Sequence, residues 1–503
     1  MKAKTLMIQG TGSSVGKSVV SAALCRLFRD AGYKVAPFKA QNMSLNSFVT
    51  EDGGEISRAQ AFQAEACGIK PRVEMNPLLL KPIANDLSQV VLMGKAQGNR
   101  KAGDYFARHE LHRKAVKQAL DVMRDEYDLL IIEGAGSPAE INLKQWDLVN
   151  MNLAKQAEAP VVIVADIDRG GSFAWMKGTL DLLEPDEQRH VAGFLVNKFR
   201  GDIKILEPGL RQFEALVGKP ILGTLPYNRD LIVDEEDSLA QWSHPANHFS
   251  GDPLDIAVLW FPHIANFTDL APLAYDPGVS LRYVAHPSQL GRPDLIIIPG
   301  SKSTIDDLNY MKQAGMESAL KKALDAGALM MGICGGFQML GKIIRDPEHI
   351  ESKLDSIEGL GYFNAETIMK PEKITRQTHR TALPSSIFAN SQKVVGYEIH
   401  CGVSEFSAPF HLMFEGFEGE DPAALGIYND AGTIFGTYLH GVFDSDPLRQ
   451  AFLAHVRNQR GLRNEEEPFS YQAFRDLQMH KLKDWIASSI CIDDFVRIIE
   501  KGL

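Results

Sequence analysis

The feature that most restricts the fold is a glycine-rich turn, Gly10 to Ser18, between two apolar segments. The run Thr5 to Ile8 before it predicts a buried strand, and Val19 to Phe28 after it carries apolar residues at helical spacing. A strand, a glycine-rich turn ending in Gly-Lys-Ser and a helix form the context of a phosphate-binding loop. The N–H groups of such a turn point inward, and the helix N-terminus adds positive potential. The turn therefore predicts a site for phosphate groups.

The pattern assigns roles within this loop. Lys17 would reach the terminal phosphates of a nucleotide, and the Ser18 hydroxyl would bind Mg²⁺. Thr11 stands where the usual first glycine falls, and the alternative is a chance glycine-rich turn, which the flanking strand and helix disfavour. The predicted cofactor contacts of the loop are Thr11, Gly12, Val15, Gly16, Lys17 and Ser18.

Polar residues at the ends of other predicted strands extend this candidate site. Ligands of an open parallel sheet bind beyond the carboxyl ends of its strands. Lys39, after the run from Tyr33, is expected to face the phosphates, although a solvated loop explains it equally well. Glu133 ends a buried run and is the expected Mg²⁺ ligand. Asn197 follows a strand in an Asn-Lys pair that is typical, although weakly, of a nucleotide-base contact.

The second half of the chain centres on a cysteine flanked by glycines, in Gly332-Ile333-Cys334-Gly335-Gly336. Glycines allow a sharp turn that lifts a thiol out of a sheet, and the helix that follows favours the thiolate. A buried inert cysteine is the alternative, but the glycine frame favours a nucleophile. Its base is predicted to be His440, at the end of a strand, in preference to His400.

Composition limits the classes of function. The chain has 503 residues, enough for two or three domains, and a formal net charge of −11, which argues against a nucleic-acid partner. No stretch has the apolar length of a membrane span. Five widely spaced cysteines predict a reducing, cytoplasmic location without disulfides or a zinc site.

Two motifs carry a resemblance to known families. The Gly-x-Cys-Gly-Gly frame with a later strand ending in histidine resembles class I glutamine amidotransferases, and Gly-Thr-x-x-x-Val-Gly-Lys-Ser is similar to dethiobiotin synthetase and its relatives. Both in this order resemble the glutamine-dependent cobyrinate-amidating enzymes. The stretches that carry this closer resemblance are Gln41 to Ser47, Arg58 to Ala66, Met75 to Pro82, Glu133 to Leu143, Asp166 to Phe173, Asn266 to Asp269, Gly396 to His400 and Thr437 to His440.

The resemblance implies an α/β chain of two doubly wound domains. Residues 1–232 would form an ATP-binding, dethiobiotin-synthetase-like domain with a parallel sheet, and 233–253 a linker. Residues 254–450 would form a flavodoxin-like class I amidotransferase domain, followed by a mainly helical tail over 451–503.

The resemblance also implies the reaction. Four carboxylates (b, d, e and g) of adenosylcobyrinic acid a,c-diamide would become amides, with ATP, Mg²⁺ and glutamine as nitrogen donor. The first domain would phosphorylate each carboxylate, and the second would release ammonia through a thioester on Cys334. The expected partners are small molecules, with neither nucleic acid nor membrane, and a homo-oligomer is compatible with the sequence.

Two alternatives stay open at this stage. Cobyrinic acid a,c-diamide synthase shares both domains, although the loop Gln41 to Ser47 argues against it. An ATP-driven switch with an inactive amidotransferase domain is the other. One departure from the amidotransferase pattern is Val442, where many members have glutamate two residues after the histidine. A Cys-His dyad, or a third group such as Asp444 or Glu398, would then orient His440.

Overall fold

The apolar runs of the sequence form the strands of two main sheets in the computed structural model. The structure describes residues 2–84, 87–233, 253–385, 387–416, 423, 425–464 and 468–502. The contacts divide the chain into two units. The first comprises Met1–Ser44, Gly54–Glu236 and Arg475–Leu503, and the second comprises Leu45–Gly53 and Asp237–Phe474.

The strands of the described residues follow in chain order. They are β1 (Lys4–Gly10), β2 (Val35–Phe38), β3 (Gln41–Met43), β4 (Ser47–Val49), β5 (Glu55–Ser57), β6 (Leu78–Ala84), β7 (Leu87–Leu92), β8 (Lys95–Lys101), β9 (Leu129–Glu133), β10 (Val161–Asp166), β11 (Val191–Phe199), β12 (Ile221–Pro226), β13 (Leu254–Leu259), β14 (Val279–Val284), β15 (Leu295–Ile298), β16 (Leu329–Ile333), β17 (Ile343–Arg345), β18 (Ser356–Glu358), β19 (Ala365–Ala382), β20 (Gln392–Phe406), β21 (His411–Leu412), β22 (Gly426–Tyr428) and β23 (Ile434–Thr437).

The α-helices alternate with these strands over much of the chain. They are α1 (Lys17–Asp30), α2 (Arg58–Cys67), α3 (Ala102–Ala107), α4 (His109–Glu126), α5 (Met151–Ala157), α6 (Ser172–Asp181), α7 (Pro185–His190), α8 (Ile203–Val217), α9 (Ala271–Ala274), α10 (Thr304–Gln313), α11 (Met316–Asp325), α12 (Gly335–Met339), α13 (Asp446–Gln459), α14 (Tyr471–Ala487) and α15 (Ile492–Lys501).

The main sheet of the first unit is parallel throughout, in the order β12-β11-β10-β1-β9-β2. Every residue of β9 and β10 is buried, because helices cover both faces of the sheet. This order places the end of β1, and so the glycine-rich loop, between the ends of β10 and β9. A smaller sheet, β3-β6-β7-β8, belongs to the same unit.

The main sheet of the second unit has the order β14-β13-β15-β16-β23-β22-β21. Its first five strands are parallel, and β22 and β21 extend it antiparallel. The neighbours β16 and β23 end at Ile333 and Thr437, so Cys334 and His440 leave the same edge of the sheet. A second sheet, β18-β17-β19-β20, carries Tyr397 to His400 on its longest hairpin. These two α/β sheets confirm the predicted fold class.

The helical tail divides between the units. Helix α13 packs in the core of the second unit, whereas Met479 and Trp485 of α14 and Phe495 of α15 join the core beside α1. The Trp485 indole N–H donates to the Pro226 carbonyl at 2.8 Å. The contact units divide the tail after Phe474, and the second unit also includes Leu45–Gly53.

Residues 234–252 of the predicted linker 233–253 lie outside the described residues. In the part of the chain that is described, no helix combines the length and apolarity needed to cross a membrane.

Candidate functional site

The glycine-rich loop joins β1 to α1 as the sequence predicts. Gly16 precedes the helix with φ +98°, and a Cβ atom there would lie 2.2 Å from the Asn197 amide nitrogen. Position 16 therefore requires glycine, because its backbone conformation is left-handed and a side chain would have no room. That same Asn197 amide donates to the Val15 carbonyl at 2.9 Å, so the end of β11 supports the loop.

Lys17 lies at the centre of this loop. Its ammonium donates to the Gly12 carbonyl at 2.8 Å and to the Gly136 carbonyl, beyond β9, at 3.1 Å. A Cβ atom on Gly12 would meet nothing within 4 Å, so the loop is open at this point. The buried Thr11 hydroxyl has no hydrogen-bond partner among the described residues. An open glycine loop with a lysine and an unsatisfied hydroxyl fits a phosphate group.

Glu133 gathers three side chains from different parts of the first unit. Its carboxylate accepts from the Ser18 hydroxyl at 2.8 Å, from Lys39 at 2.9 Å and from Gln63 of α2 at 2.5 Å. Burial alone would raise the pKa of Glu133, but Lys39 and the hydrogen bonds lower it below its usual range. Glu133 is therefore ionised, and a carboxylate beside the loop serine is the donor set that Mg²⁺ takes in phosphate-loop proteins.

The predicted residues of the phosphate site come together only in part. Ser18, Lys39 and Glu133 are in direct contact, whereas Val15 is buried in the apolar core and Asn197 contacts the loop backbone. Sequence reasoning missed Gln63, whose partner Glu133 is 70 residues away. The signal for it was the resemblance of the stretch Arg58 to Ala66.

In the second unit, Cys334 occupies a strained turn between β16 and α12. Its φ of +51° and ψ of −108° lie where residues other than glycine are rare. A Cβ atom on Gly336 would lie 1.9 Å from the Ile298 carbonyl oxygen, and one on Gly335 would lie 2.9 Å from the Ser301 nitrogen. The glycine frame therefore lets the turn pack against the end of β15, as expected for a nucleophile elbow.

His440 is held by a carboxylate that sequence reasoning did not identify. The His440 Nδ1 atom lies 2.6 Å from Asp269 Oδ2, and the other Asp269 oxygen accepts the Gly441 N–H at 3.0 Å. Both side chains are buried, and the His440 Nε2 atom has no hydrogen-bond partner among the described residues. An Nδ1–H held by Asp269 leaves Nε2 to act as the base.

The charges around His440 favour an imidazolium. Burial alone would lower the pKa of His440, but the charges of Asp269 and Cys334 outweigh it and raise this pKa to about 10. Cys334 and Asp269 thus both act on the charge of His440. Asp269 is a third group of the kind that the sequence left open beside a Cys-His dyad.

The competing residues have other partners. His400 Nδ1 lies 2.7 Å from the Gly402 carbonyl, and its ring stacks on Tyr438. Glu398, one sequence candidate for orienting His440, binds Arg376 and Thr378 instead. Val442, which stands where many amidotransferases have glutamate, is 1% exposed, and its side chain packs in the apolar core. Asp269 is 171 residues from His440. In the sequence it belonged to the stretch Asn266 to Asp269, which was used for the family resemblance and was given no role of its own.

Replacing Asp269 by asparagine tests this arrangement. We expect the kcat of glutamine hydrolysis to fall by about 10²-fold, because a neutral amide no longer stabilises the imidazolium. The pKa of His440 should fall from about 10, so the alkaline limb of the kcat profile should move to lower pH. The measurement is glutaminase rate against pH, and an unchanged alkaline limb would refute the role of Asp269.

Known proteins match both halves of the chain. Residues 6–239 match the CobQ/CobB/MinD/ParA nucleotide binding domain, and residues 255–448 match the CobB/CobQ-like glutamine amidotransferase domain. Cobyric acid synthase of Desulfitobacterium hafniense (strain DSM 10664 / DCB-2) is 46% identical over 500 residues, which cover 97% of this chain and 96% of the relative. Cobyric acid synthase of Caldanaerobacter subterraneus subsp. tengcongensis is 44% identical over 503 residues, which cover 99% of this chain and 98% of the relative.

A phosphate-loop domain and an amidotransferase domain in one chain define an ATP-dependent, glutamine-hydrolysing amidoligase. The full-length relatives narrow this class further. The chain belongs to the cobyric acid synthase family, whose members amidate a corrinoid in cobalamin biosynthesis. This confirms the resemblance inferred from the sequence, and it disfavours the switch with an inactive amidotransferase domain.

Proposed function

We propose that the chain converts the b, d, e and g carboxylates of adenosylcobyrinic acid a,c-diamide to amides by way of acyl phosphates. The observation that carries this proposal is the near-complete coverage of cobyric acid synthases by this chain at 44–46% identity. A carboxylate oxygen attacks the γ-phosphorus of ATP, and the bond to ADP breaks. Ammonia then adds to the acyl carbon, and phosphate leaves.

The first unit supplies the phosphoryl-transfer site. Lys17 neutralises charge on the transferred group, and the loop N–H groups from Gly12 to Gly16 bind the phosphates. Ser18 and ionised Glu133 would hold Mg²⁺, which would screen the charge of the ATP phosphates. Lys39 keeps Glu133 ionised and oriented. Asn197, which donates to the Val15 carbonyl of the loop, would contact the nucleotide base.

The second unit supplies ammonia. The Cys334 thiolate attacks the amide carbon of glutamine, and His440 gives its proton to the departing ammonia. Water, deprotonated by His440, then cleaves the thioester to glutamate. Asp269 keeps the imidazole oriented in both steps.

The finer assignments follow from this reaction. We place the ATP-dependent half at 1–232 and the glutaminase half at 254–450, in line with the family matches. We place the protein in the cytoplasm, because glutamine and ATP are supplied there and five widely spaced cysteines are typical of a reducing compartment.

A product count tests the proposed substrate. Purified protein is incubated with glutamine, MgATP and the a,c-diamide, and the corrinoid is followed by mass spectrometry. We expect four successive replacements of a hydroxyl by an amino group, each dependent on ATP. If the protein instead amidates cobyrinic acid twice and leaves the a,c-diamide unchanged, it is the a,c-diamide synthase.

A further inference from the structure

The segment Leu45–Gly53 belongs to a different unit from the residues that precede and follow it in the sequence. Strands β3 before it and β5 after it belong to the first unit, whereas the segment itself belongs to the second. The stretch Gln41 to Ser47 carried part of the resemblance in the sequence. In the structure, Asn46 and Ser47 contact the turn that carries Asp269.

Two reciprocal hydrogen bonds join the segment to the turn that carries Asp269. The Ser47 N–H donates to Asn266 Oδ1 at 2.8 Å, and the Phe267 N–H donates to Asn46 Oδ1 at 3.1 Å. Asn46 is 1% exposed and Ser47 is fully buried. Buried amides that accept backbone N–H groups hold a segment in one position, because breaking them leaves polar groups unsatisfied.

The turn that contains Asn266 connects this restraint to the Asp269 carboxylate. Asn266 adopts a left-handed conformation with φ +54°, and its carbonyl accepts the Asp269 N–H at 3.0 Å. The position of Asp269 relative to His440 therefore depends on where Asn266 is held.

A second contact connects the segment to His440 through Tyr397. The Tyr397 hydroxyl donates to the Ser47 carbonyl at 3.0 Å. The Tyr397 ring stacks on the imidazole of His440, with centroids 5.3 Å apart and planes 16° apart. The backbones of Tyr397 and His440 exchange hydrogen bonds at 2.8 and 3.1 Å. Ser47 thus contacts both Asn266, which positions Asp269, and Tyr397, which stacks on His440.

We propose that Asn46 and Ser47 are positioning residues for glutamine hydrolysis, which they promote by fixing Asn266 and Tyr397 around the Asp269–His440 pair. This support comes from a segment that lies between β3 and β5 in the sequence but belongs to the second unit. This inference rests on the proposed roles of Cys334, His440 and Asp269 in glutamine hydrolysis.

The test uses Asn46→Ala and Asn266→Gly, each in the full-length protein, and the double variant. Glycine suits the left-handed backbone at 266 and removes only the amide. We expect each single variant to lower the kcat of glutamine hydrolysis by about 10- to 100-fold, because a misplaced general base loses its alignment. The KM for glutamine should stay within about twofold, and ammonia-dependent amidation should be retained. The double variant should lose little more activity than the more impaired of the two single variants, since the two hydrogen bonds hold the same pair of segments together.

Matched controls separate the possible failures. Asp52→Ala removes an exposed side chain of the same segment and should leave glutaminase unchanged. Cys334→Ala, measured in parallel, reports on the proposed site itself. If Cys334→Ala retains glutaminase, the proposed function of the second unit fails. If it loses glutaminase and Asn46→Ala does not, or if Asn46→Ala lowers the ammonia-dependent rate equally, the positioning role is overturned.

Discussion

The Cys334→Ala protein should lose glutamine-dependent amidation by at least about 10⁴-fold and keep its ammonia-dependent amidation. In the proposed mechanism, the Cys334 thiolate forms the bond to the amide carbon of glutamine, and neither His440 nor Asp269 can replace it as a nucleophile. The acyl phosphate of that mechanism forms in the other half of the chain, where ammonia from solution can still react with it. The measurement compares corrinoid amidation with glutamine and with a high concentration of ammonium salt.

A cysteine outside the site provides the control for this variant. Cys491 is exposed and precedes α15 in the first unit. The Cys491→Ala protein should therefore amidate the corrinoid at the parent rate with glutamine and with ammonia. Equal loss of the two reactions in Cys334→Ala would mean that the thiol has a structural role, or that the division of labour between the halves is wrong.

The Lys17→Ala protein should lose amidation with either nitrogen source, by about 10³-fold or more. The lysine ammonium is held beside the open loop by the Gly12 and Gly136 carbonyls, so its charge is in place before ATP binds. Such a charge stabilises the transferred phosphoryl group in the transition state, where its effect is largest. The measurement is ATP-dependent amidation with ammonium salt, and glutamine hydrolysis serves as the test of folding.

An exposed lysine of the same unit is the matched control. Lys34 donates to the Glu126 carbonyl at the surface, and Lys34→Ala should behave as the parent protein does. Near-normal ammonia-dependent turnover in Lys17→Ala would remove the assignment of the phosphate loop.

Local patterns predicted the parts of the site in which neighbouring residues act together. The glycine-rich loop and the Cys334 turn are each a strand, a turn and a helix that follow one another directly in the chain, and both have the predicted geometry. Their glycines are required by steric limits of the backbone, which act between near neighbours. Predicted strand ends also located Glu133 and His440, because parallel strands end at one edge of a sheet.

Partners that are distant in sequence could not be derived in the same way. The contact of Gln63 with Glu133 depends on how α2 packs against β2, the neighbour of β9 in the sheet. The contact of Asp269 with His440 depends on the turn after β13 reaching the end of β23. Any of several carboxylates was chemically suitable for His440. Only the order of strands in the sheet selects among them.

By itself, the sequence determined the two α/β halves, the phosphate loop, the nucleophile turn and the family, because these depend on spacing within short stretches. The tertiary structure alone decided that Asp269 orients His440, that Lys39 pairs with Glu133, and that Leu45–Gly53 joins the second unit. The physical reason is that hydrogen bonds and ion pairs form wherever packing of the cores brings groups together, and this packing is a property of the whole chain.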